Sequence, residues 1–204
     1  AASDVYKRQI LNILGHLSGI ATETKKWASK AVRQVACTRK TTWGLLDKWA
    51  VHLGGGLTHR LTRNDALMIK ENDLASMDES SDDNNKKIAQ LIQSLQIDDV
   101  TSFIEIEVRT DKEAITAAAV WQQTHEQENK KFVIMLDNFG PERCRDVVNQ
   151  LETMNLREAV LLEASGNITF DELDQWFECG VDVISTSAIN RGVKPLDISM
   201  IVGD

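Results

Sequence analysis

The sequence predicts an α/β fold of parallel strands with helices packed between them. Two observations carry that expectation. Short apolar runs alternate with stretches of helical periodicity, and right-handed crossovers between parallel strands satisfy such β-α-β alternation. Charged or hydroxylic residues also recur just after most of the runs, which gathers chemistry at one end of such a sheet.

Residues 1–9, AASDVYKRQ, differ in character from the rest and hold the only Tyr, so they read as a non-native scar outside the fold, with the natural chain beginning further upstream. Residues 10–34 form a helical lead-in, because Ile10, Ile13, Leu14, Leu17, Ile20 and Ala21 follow helical spacing. Gly15, Ser18 and Gly19 are weak helix formers, so this helix should pack closely against another element. Residues 35–204 then form the α/β domain. Its expected strands are Val35–Cys37, Ala66–Ile69, Phe103–Val108, Phe132–Leu136, Ala159–Leu162, Val181–Ile184 and Ile198–Val202. Its expected helices are Gly44–Leu53, Lys86–Leu95, Lys112–Gln123, Pro141–Met154 and Thr169–Glu178. Pro141 suits a helix start, and Thr169 with Glu172 makes a capping box. Asp78–Asn85 reads as a polar loop.

Composition bounds the function. The chain has 204 residues and a net charge of −8, a poor profile for a general nucleic-acid binder. No apolar run reaches the roughly 20 residues of a membrane helix, and no apolar leader opens the chain. Three cysteines, Cys37, Cys144 and Cys179, lack C-x-x-C spacing, which fits a reducing cytoplasm. The charge is uneven: residues 1–75 carry +6 and residues 76–204 carry −14. Such a basic segment suits a small polyanion, although surface charge also drifts along chains.

The strand ends discriminate between sheet types. Polar groups stand at Thr38-Arg39-Lys40, Lys70-Glu71-Asn72, Glu105 and Glu107, Asp137-Asn138, Glu163-Ala164-Ser165-Gly166 and Ser185-Thr186-Ser187-Ala188. An open sheet brings together only its switch-point ends, whereas a barrel gathers all of them on one face. Six populated ends favour an incomplete TIM-like barrel preceded by the long helix.

Arg39, Lys40, His59, Arg60 and Lys70 form a cationic set suited to several negative charges, since guanidinium forks and ammonium groups match carboxylates and phosphates. Glu107 and Asp137 lie on adjacent strands. Beside phosphates they imply an intervening Mg²⁺; alternatively each is a salt-bridge partner of Lys70. Gly54-Gly55-Gly56 lets the backbone approach an anion or serves as a plain connector, and it matches no nucleotide-binding fingerprint. His16, His52 and His125 read as packing or surface histidines, and Cys37 as a small core residue.

Eight segments in order resemble the quinolinate phosphoribosyltransferase family. They are Leu17–Thr22, Cys37–Thr42, Gly54–Gly56 with His59-Arg60, Ile69–Asn72, Ile104–Val108, Met135–Phe139, Leu162–Gly166 and Pro195–Ser199. The resemblance implies transfer of phosphoribosyl from phosphoribosyl pyrophosphate to quinolinate with decarboxylation, giving nicotinate mononucleotide, pyrophosphate and CO₂ in NAD synthesis, with Mg²⁺. It implies that Arg39, His59, Arg60 and Lys70 hold the quinolinate carboxylates, with Lys40 near the same pocket. Glu107 and Asp137 would face the ribose hydroxyls and Mg²⁺-pyrophosphate, with Lys70, Glu107 and Asp137 as the catalytic set. Ser165, Gly166, Ser187 and Ala188 would cradle the 5′-phosphate. It further implies a cytoplasmic homodimer or dimer-based hexamer, and an N-terminal sandwich domain that this sequence lacks.

Four departures stand out: Trp43 replaces a usual Pro, Gly44–Asp47 is about two residues short, Asp73 replaces a common His, and Ser187 replaces a Gly. Two other readings stay open. One is a relative with the same fold and another substrate, such as the molybdenum-transport-associated paralogue, against which Arg39 and His59-Arg60 argue. The other is a ligand-binding barrel fragment with little catalysis.

Overall fold

The computed structural model describes residues 2–31, 34–62, 65–77, 83–125 and 129–201. The chain divides into two compact units, Ala1–His59 with Thr186–Asp204, and Arg60–Ser185.

The first unit holds helix α1 (Ala2–Lys30), strand β1 (Gln34–Cys37) and helix α2 (Leu45–Leu53). Helix α1 packs closely, as its glycines predict. A Cβ at Gly15 would lie 2.7 Å from the Leu196 carbonyl oxygen, one at Gly19 would collide with the Lys194 carbonyl, and the Leu196 amide donates to the Gly15 carbonyl at 2.8 Å. The helix also continues back through residues 2–9, the stretch expected to stand outside the fold. The glycine run is a packing device. A Cβ at Gly54 would come within 2.5 Å of the Ala21 carbonyl oxygen, one at Gly56 would come within 2.7 Å of Thr24, and Gly55 has a positive φ of 87°. Just beyond, Leu57 pairs with β1, its amide reaching the Val35 carbonyl at 2.8 Å.

The second unit is the α/β body. It contains β2 (Leu67–Ile69), α3 (Glu71–Ala75), α4 (Asn84–Ser94), β3 (Phe103–Val108), α5 (Asp111–His125), β4 (Lys131–Asp137), α6 (Pro141–Thr153), β5 (Leu161–Ser165), α7 (Leu173–Glu178) and β6 (Val183–Thr186), whose last residue falls to the first unit. The strands run in the order β6-β5-β4-β3-β2 and every pair is parallel. The register aligns Ile104 with Phe132, Ile134 with Leu162, and Ala164 with Ile184.

Alternation along these strands separates two chemistries. One face carries Ile104, Ile106, Val108, Phe132, Ile134, Leu136, Leu162, Ala164 and Ile184, all buried. This face meets the helices: Phe132 stacks on Trp121 of α5 with centroids 4.4 Å apart. The opposite face is mixed: Glu105, Glu107, Asp137, Glu163, Ser165 and Ser185 share it with Phe103, Val133, Met135, Leu161 and Val183. Layers of branched apolar residues are usual on such a face, so its carboxylates are the distinguishing feature of this sheet.

Several expectations are corrected. Residues 198–201 form no strand, with Ile201 93% exposed, and Val202 lies outside the described residues. The segment is held against α1 through Leu196, so it has no sheet neighbour to make it a strand. The strand expected at Ala159–Leu162 starts later, after a 3₁₀ turn at Arg157–Ala159 in which the Arg157 guanidinium holds the Val160 carbonyl. Helix α7 begins at Leu173, with Glu172 as its N-cap rather than its third residue. The Thr169 hydroxyl and Glu172 carboxylate still bond, at 2.7 Å, in the preceding turn. Asp83 caps α4 by accepting from the Asn85 amide, so Asn84 and Asn85 are helical; residues 78–82 of the expected loop lie outside the described residues. The short helix α3 has no counterpart in the sequence reading. It is capped by Asp73, which accepts from the Lys70 amide at 2.7 Å.

Candidate active site

The first unit presents a basic turn directly after β1. Arg39 and Lys40 are exposed there. Their backbone is fixed from three sides. The Thr41 amide donates to the Arg39 carbonyl at 3.0 Å, and the Lys40 amide donates to the Thr38 hydroxyl at 3.2 Å. Asp47 of α2, fully buried, accepts from the Thr42 amide at 2.6 Å and the Trp43 amide at 3.1 Å. Its other oxygen bonds His16 Nε2 of α1 at 2.7 Å, and the His16 ring lies 4.4 Å from that of Trp43. Trp43 thus occupies the expected Pro position as a packing partner, and Gly44 (φ 57°) starts α2.

Lys48, also of α2 and buried, donates to the Thr58 carbonyl at 2.5 Å and approaches Cys37 Sγ at 3.6 Å. It thereby holds the segment that delivers His59, whose φ of 57° lies in the left-handed region. Burial pushes the Cys37 thiol above its ordinary pKa, in keeping with an inert core residue.

The turn after β6 contains Ser187 and Ala188. The Ala188 amide donates to the Thr186 hydroxyl at 3.1 Å, while the Asn190 and Arg191 amides donate to the Ser187 carbonyl at 3.2 and 2.7 Å. The Ala188 amide expected to cradle phosphate therefore has an internal partner.

In the second unit, charge collects at the carboxyl ends of β2, β3 and β4. The Lys70 ammonium bonds the Glu107 carboxylate. Arg109 pairs with Glu71 at 2.5 Å and stands 4.0 Å from Asp137. Three carboxylates and two cations thus meet across three strand ends, the salt-bridge alternative for Glu107 being the observed one. Arg143 of α6 supports this row: it donates to the Arg109 carbonyl at 3.1 Å and to Asp111 at 2.6 Å, and it lies 3.8 Å over the Phe139 ring. Arg60 is buried, and one guanidinium nitrogen donates to the Ala66 carbonyl at 3.1 Å, so at least part of its role is to brace β2.

Beyond β4 and β5 two turns interlock. The Asn138 amide donates to the Ser165 carbonyl at 2.8 Å, Asn138 has φ 59°, and Gly166 has φ 107°. Any side chain at Gly166 would run into the Asn138 carboxamide. Gly166 is therefore required by backbone shape and by space together.

Comparison with known proteins decides the family. The family model described as quinolinate phosphoribosyl transferase, C-terminal domain, matches residues 20–201. The chain belongs to the quinolinate phosphoribosyltransferase family. Among its relatives, a probable nicotinate-nucleotide pyrophosphorylase [carboxylating] from Methanothermobacter thermautotrophicus is 34% identical over 201 residues, covering 95% of this chain and 66% of the relative. A protein of the same description from Archaeoglobus fulgidus is 36% identical, covering 95% of this chain and 70% of that one. The solved structure of NadC from Streptococcus pyogenes superposes with a TM-score of 0.75 at 32% identity, covering 96% of this chain and 63% of that chain. The chain of this quinolinate phosphoribosyltransferase family member thus spans about two thirds of the length of these relatives.

Sequence reasoning missed Arg109, Arg143, Asp47, Lys48 and Asn190. Arg109 was within reach of the strand-end rule, being the residue directly after Val108. The other four act through partners more than 10 residues away or through backbone atoms, which no local spacing reveals. Among the described residues, no helix is long and apolar enough to cross a membrane.

Proposed function

We propose that this protein transfers the phosphoribosyl group of phosphoribosyl pyrophosphate to quinolinate with loss of CO₂, yielding nicotinate mononucleotide. The observation that carries this reading is the row Lys70–Glu107 and Arg109–Asp137 on the carboxylate-bearing face of the sheet, at the strand ends where such folds place chemistry. Family membership supplies the substrate class.

In the first unit, exposed Arg39 and Lys40 suit the two carboxylates of quinolinate, and His59 joins them by resemblance. In the second unit, Arg60 and Lys70 take the same role by resemblance. Lys70 would exchange part of its contact with Glu107 for substrate. Glu107 and Asp137 would then face the ribose as positive charge builds at C1′. There the ring nitrogen of quinolinate forms a bond to C1′ while the bond to pyrophosphate breaks. The adjacent carboxylate subsequently leaves as CO₂, and its electron pair takes up a proton at the ring carbon. By resemblance the 5′-phosphate is a ligand of Ser165 and Gly166 in the second unit and of Ser187 and Ala188 in the first, the Ala188 amide by releasing Thr186.

The oxygen donors of Glu107 and Asp137 suit Mg²⁺. Lys70 and Arg109 already balance these carboxylates, so the two residues would hold the ion indirectly, through its waters. Mg²⁺ would supply charge neutralisation of the departing pyrophosphate.

Three buried free thiols support a reducing, cytoplasmic setting. Exposed Leu45, Leu46, Trp49 and Leu53 along α2 support self-association into a dimer, which sedimentation would reveal.

The test is turnover of quinolinate and phosphoribosyl pyrophosphate to nicotinate mononucleotide, with nicotinate as control. Lys70→Ala should lower the rate by about 10²–10³-fold or more, the usual cost of removing one electrostatic donor. Turnover of nicotinate but not quinolinate would sink the substrate assignment.

A further inference from the structure

Asn190 lies in the turn after β6 and is 1% exposed. Its side-chain Nδ2 donates to the backbone carbonyl of Lys40 at 2.8 Å, a contact spanning 150 positions of the chain. Its own amide closes the Ser187–Asn190 turn. Its Oδ1 is buried and has no hydrogen-bond partner among the described residues. A buried carboxamide that satisfies only one end is a poor stabilising element, because the orphaned acceptor loses water without compensation. An apolar side chain would serve a purely structural purpose better. What Asn190 uniquely does is join two turns, the basic one bearing Arg39 and Lys40 and the one bearing Ser187 and Ala188.

We infer that Asn190 is a positioning residue that couples the two turns, so that filling one with its ligand sets the geometry of the other. This rests on the proposed function, in which the basic turn takes the dicarboxylate and the Ser187 turn takes the ribose phosphate. Lys40 has its carbonyl fixed by Asn190 and its amide by Thr38, so the direction of its side chain follows the position of the Ser187 turn. A phosphate that draws the Ala188 amide away from Thr186 shifts that turn, and the shift reaches Lys40 through the carboxamide. Coupling of this kind is reciprocal.

The experiment has two arms on the full chain, with Asn190→Ala and with Asn190→Asp, which keeps the shape and removes the donor. In the first, amide exchange is followed by mass spectrometry without ligand. Both variants should raise exchange across Arg39–Trp43 and leave Phe103–Asp137 unchanged; unchanged exchange at Arg39–Trp43 overturns the strut. In the second, calorimetry gives the quinolinate Kd with and without saturating ribose 5-phosphate. The wild type should show a several-fold ratio between the two values. The variants should bring that ratio to one and weaken quinolinate binding about five- to tenfold, the worth of one hydrogen bond. A ratio that survives in both variants, or a ratio of one already in the wild type, overturns the coupling, even if melting temperatures fall. A wild type that binds neither ligand overturns the proposed function and the coupling with it, and the exchange arm still decides the strut.

Discussion

Asp47 shows how much one side chain decides here. It is fully buried, and it accepts three hydrogen bonds, two from the backbone of the Thr42-Trp43 turn and one from His16. Hydrogen bonds to a buried charge are worth about 1.5–3 kcal/mol each, and removing the acceptor strands its donors. Asp47→Ala should therefore destabilise the protein by about 3 kcal/mol or more in urea unfolding. It should also weaken quinolinate binding, because the turn that carries Arg39 and Lys40 loses its anchor. Unchanged binding in a folded variant would show that the turn is ordered by Asn190 and Thr38 alone. Nothing local in Trp43-Gly44-Leu45-Leu46-Asp47 announces this role. An acidic residue in the first turn of a helix reads as ordinary dipole complementarity. The strand-end residues were legible by contrast, because a carboxylate or ammonium following an apolar run breaks a pattern the sequence itself displays. Lys70, Glu107 and Asp137 were found in that way, and the structure brings the first two into direct contact.

Among the elements, α1 carries the clearest test of packing against propensity. Alanine is the better helix former by about 1 kcal/mol over glycine. At Gly15, however, the added methyl would lie 2.7 Å from the Leu196 carbonyl oxygen, which belongs to backbone that cannot yield cheaply. Overpacking of this kind costs about 1–3 kcal/mol. Gly15→Ala should thus lower the melting temperature, and a rise would show that the 192–201 segment shifts freely. The same segment explains why residues 198–201 form no strand. Apolar residues in a row specify burial, yet only a neighbour with open hydrogen-bonding groups makes them a strand, and here α1 is the neighbour. The helix at Glu71–Ala75 escaped notice for the opposite reason: five residues are too few to show a period. β3 was legible from its alternation, and β4 from an unbroken apolar run bounded by charges.

For the molecule as a whole, the governing fact is a parallel sheet with one apolar face and one face that sets carboxylates among apolar residues. The apolar face meets α5 and its neighbours and supplies the stability. Ile134, fully buried at its centre, should cost about 2–5 kcal/mol when cut to Ala. A loss below 1 kcal/mol would mean that the helix layer collapses onto the gap. The carboxylate-bearing face costs stability, since buried carboxylates lose hydration. It is also where the net negative charge of the second half acquires meaning: Glu105, Glu107, Asp137 and Glu163 belong to the sheet face and not to a solvated surface. The basic excess of the first half divides likewise. Lys48 and Arg60 are buried and brace backbone carbonyls, whereas Arg39 and Lys40 are exposed.

By itself the sequence determined the fold class, the family and the residues that end the strands. Those features are written in local alternation and in ordered motifs, which survive without knowledge of any distant contact. Only the tertiary structure decided that Lys70 pairs with Glu107, that Gly54–Gly56 is packing rather than a phosphate loop, and that Asn190 reaches Lys40. Each of these depends on atoms brought together from positions far apart in the chain, and spacing along a sequence carries no record of such distances.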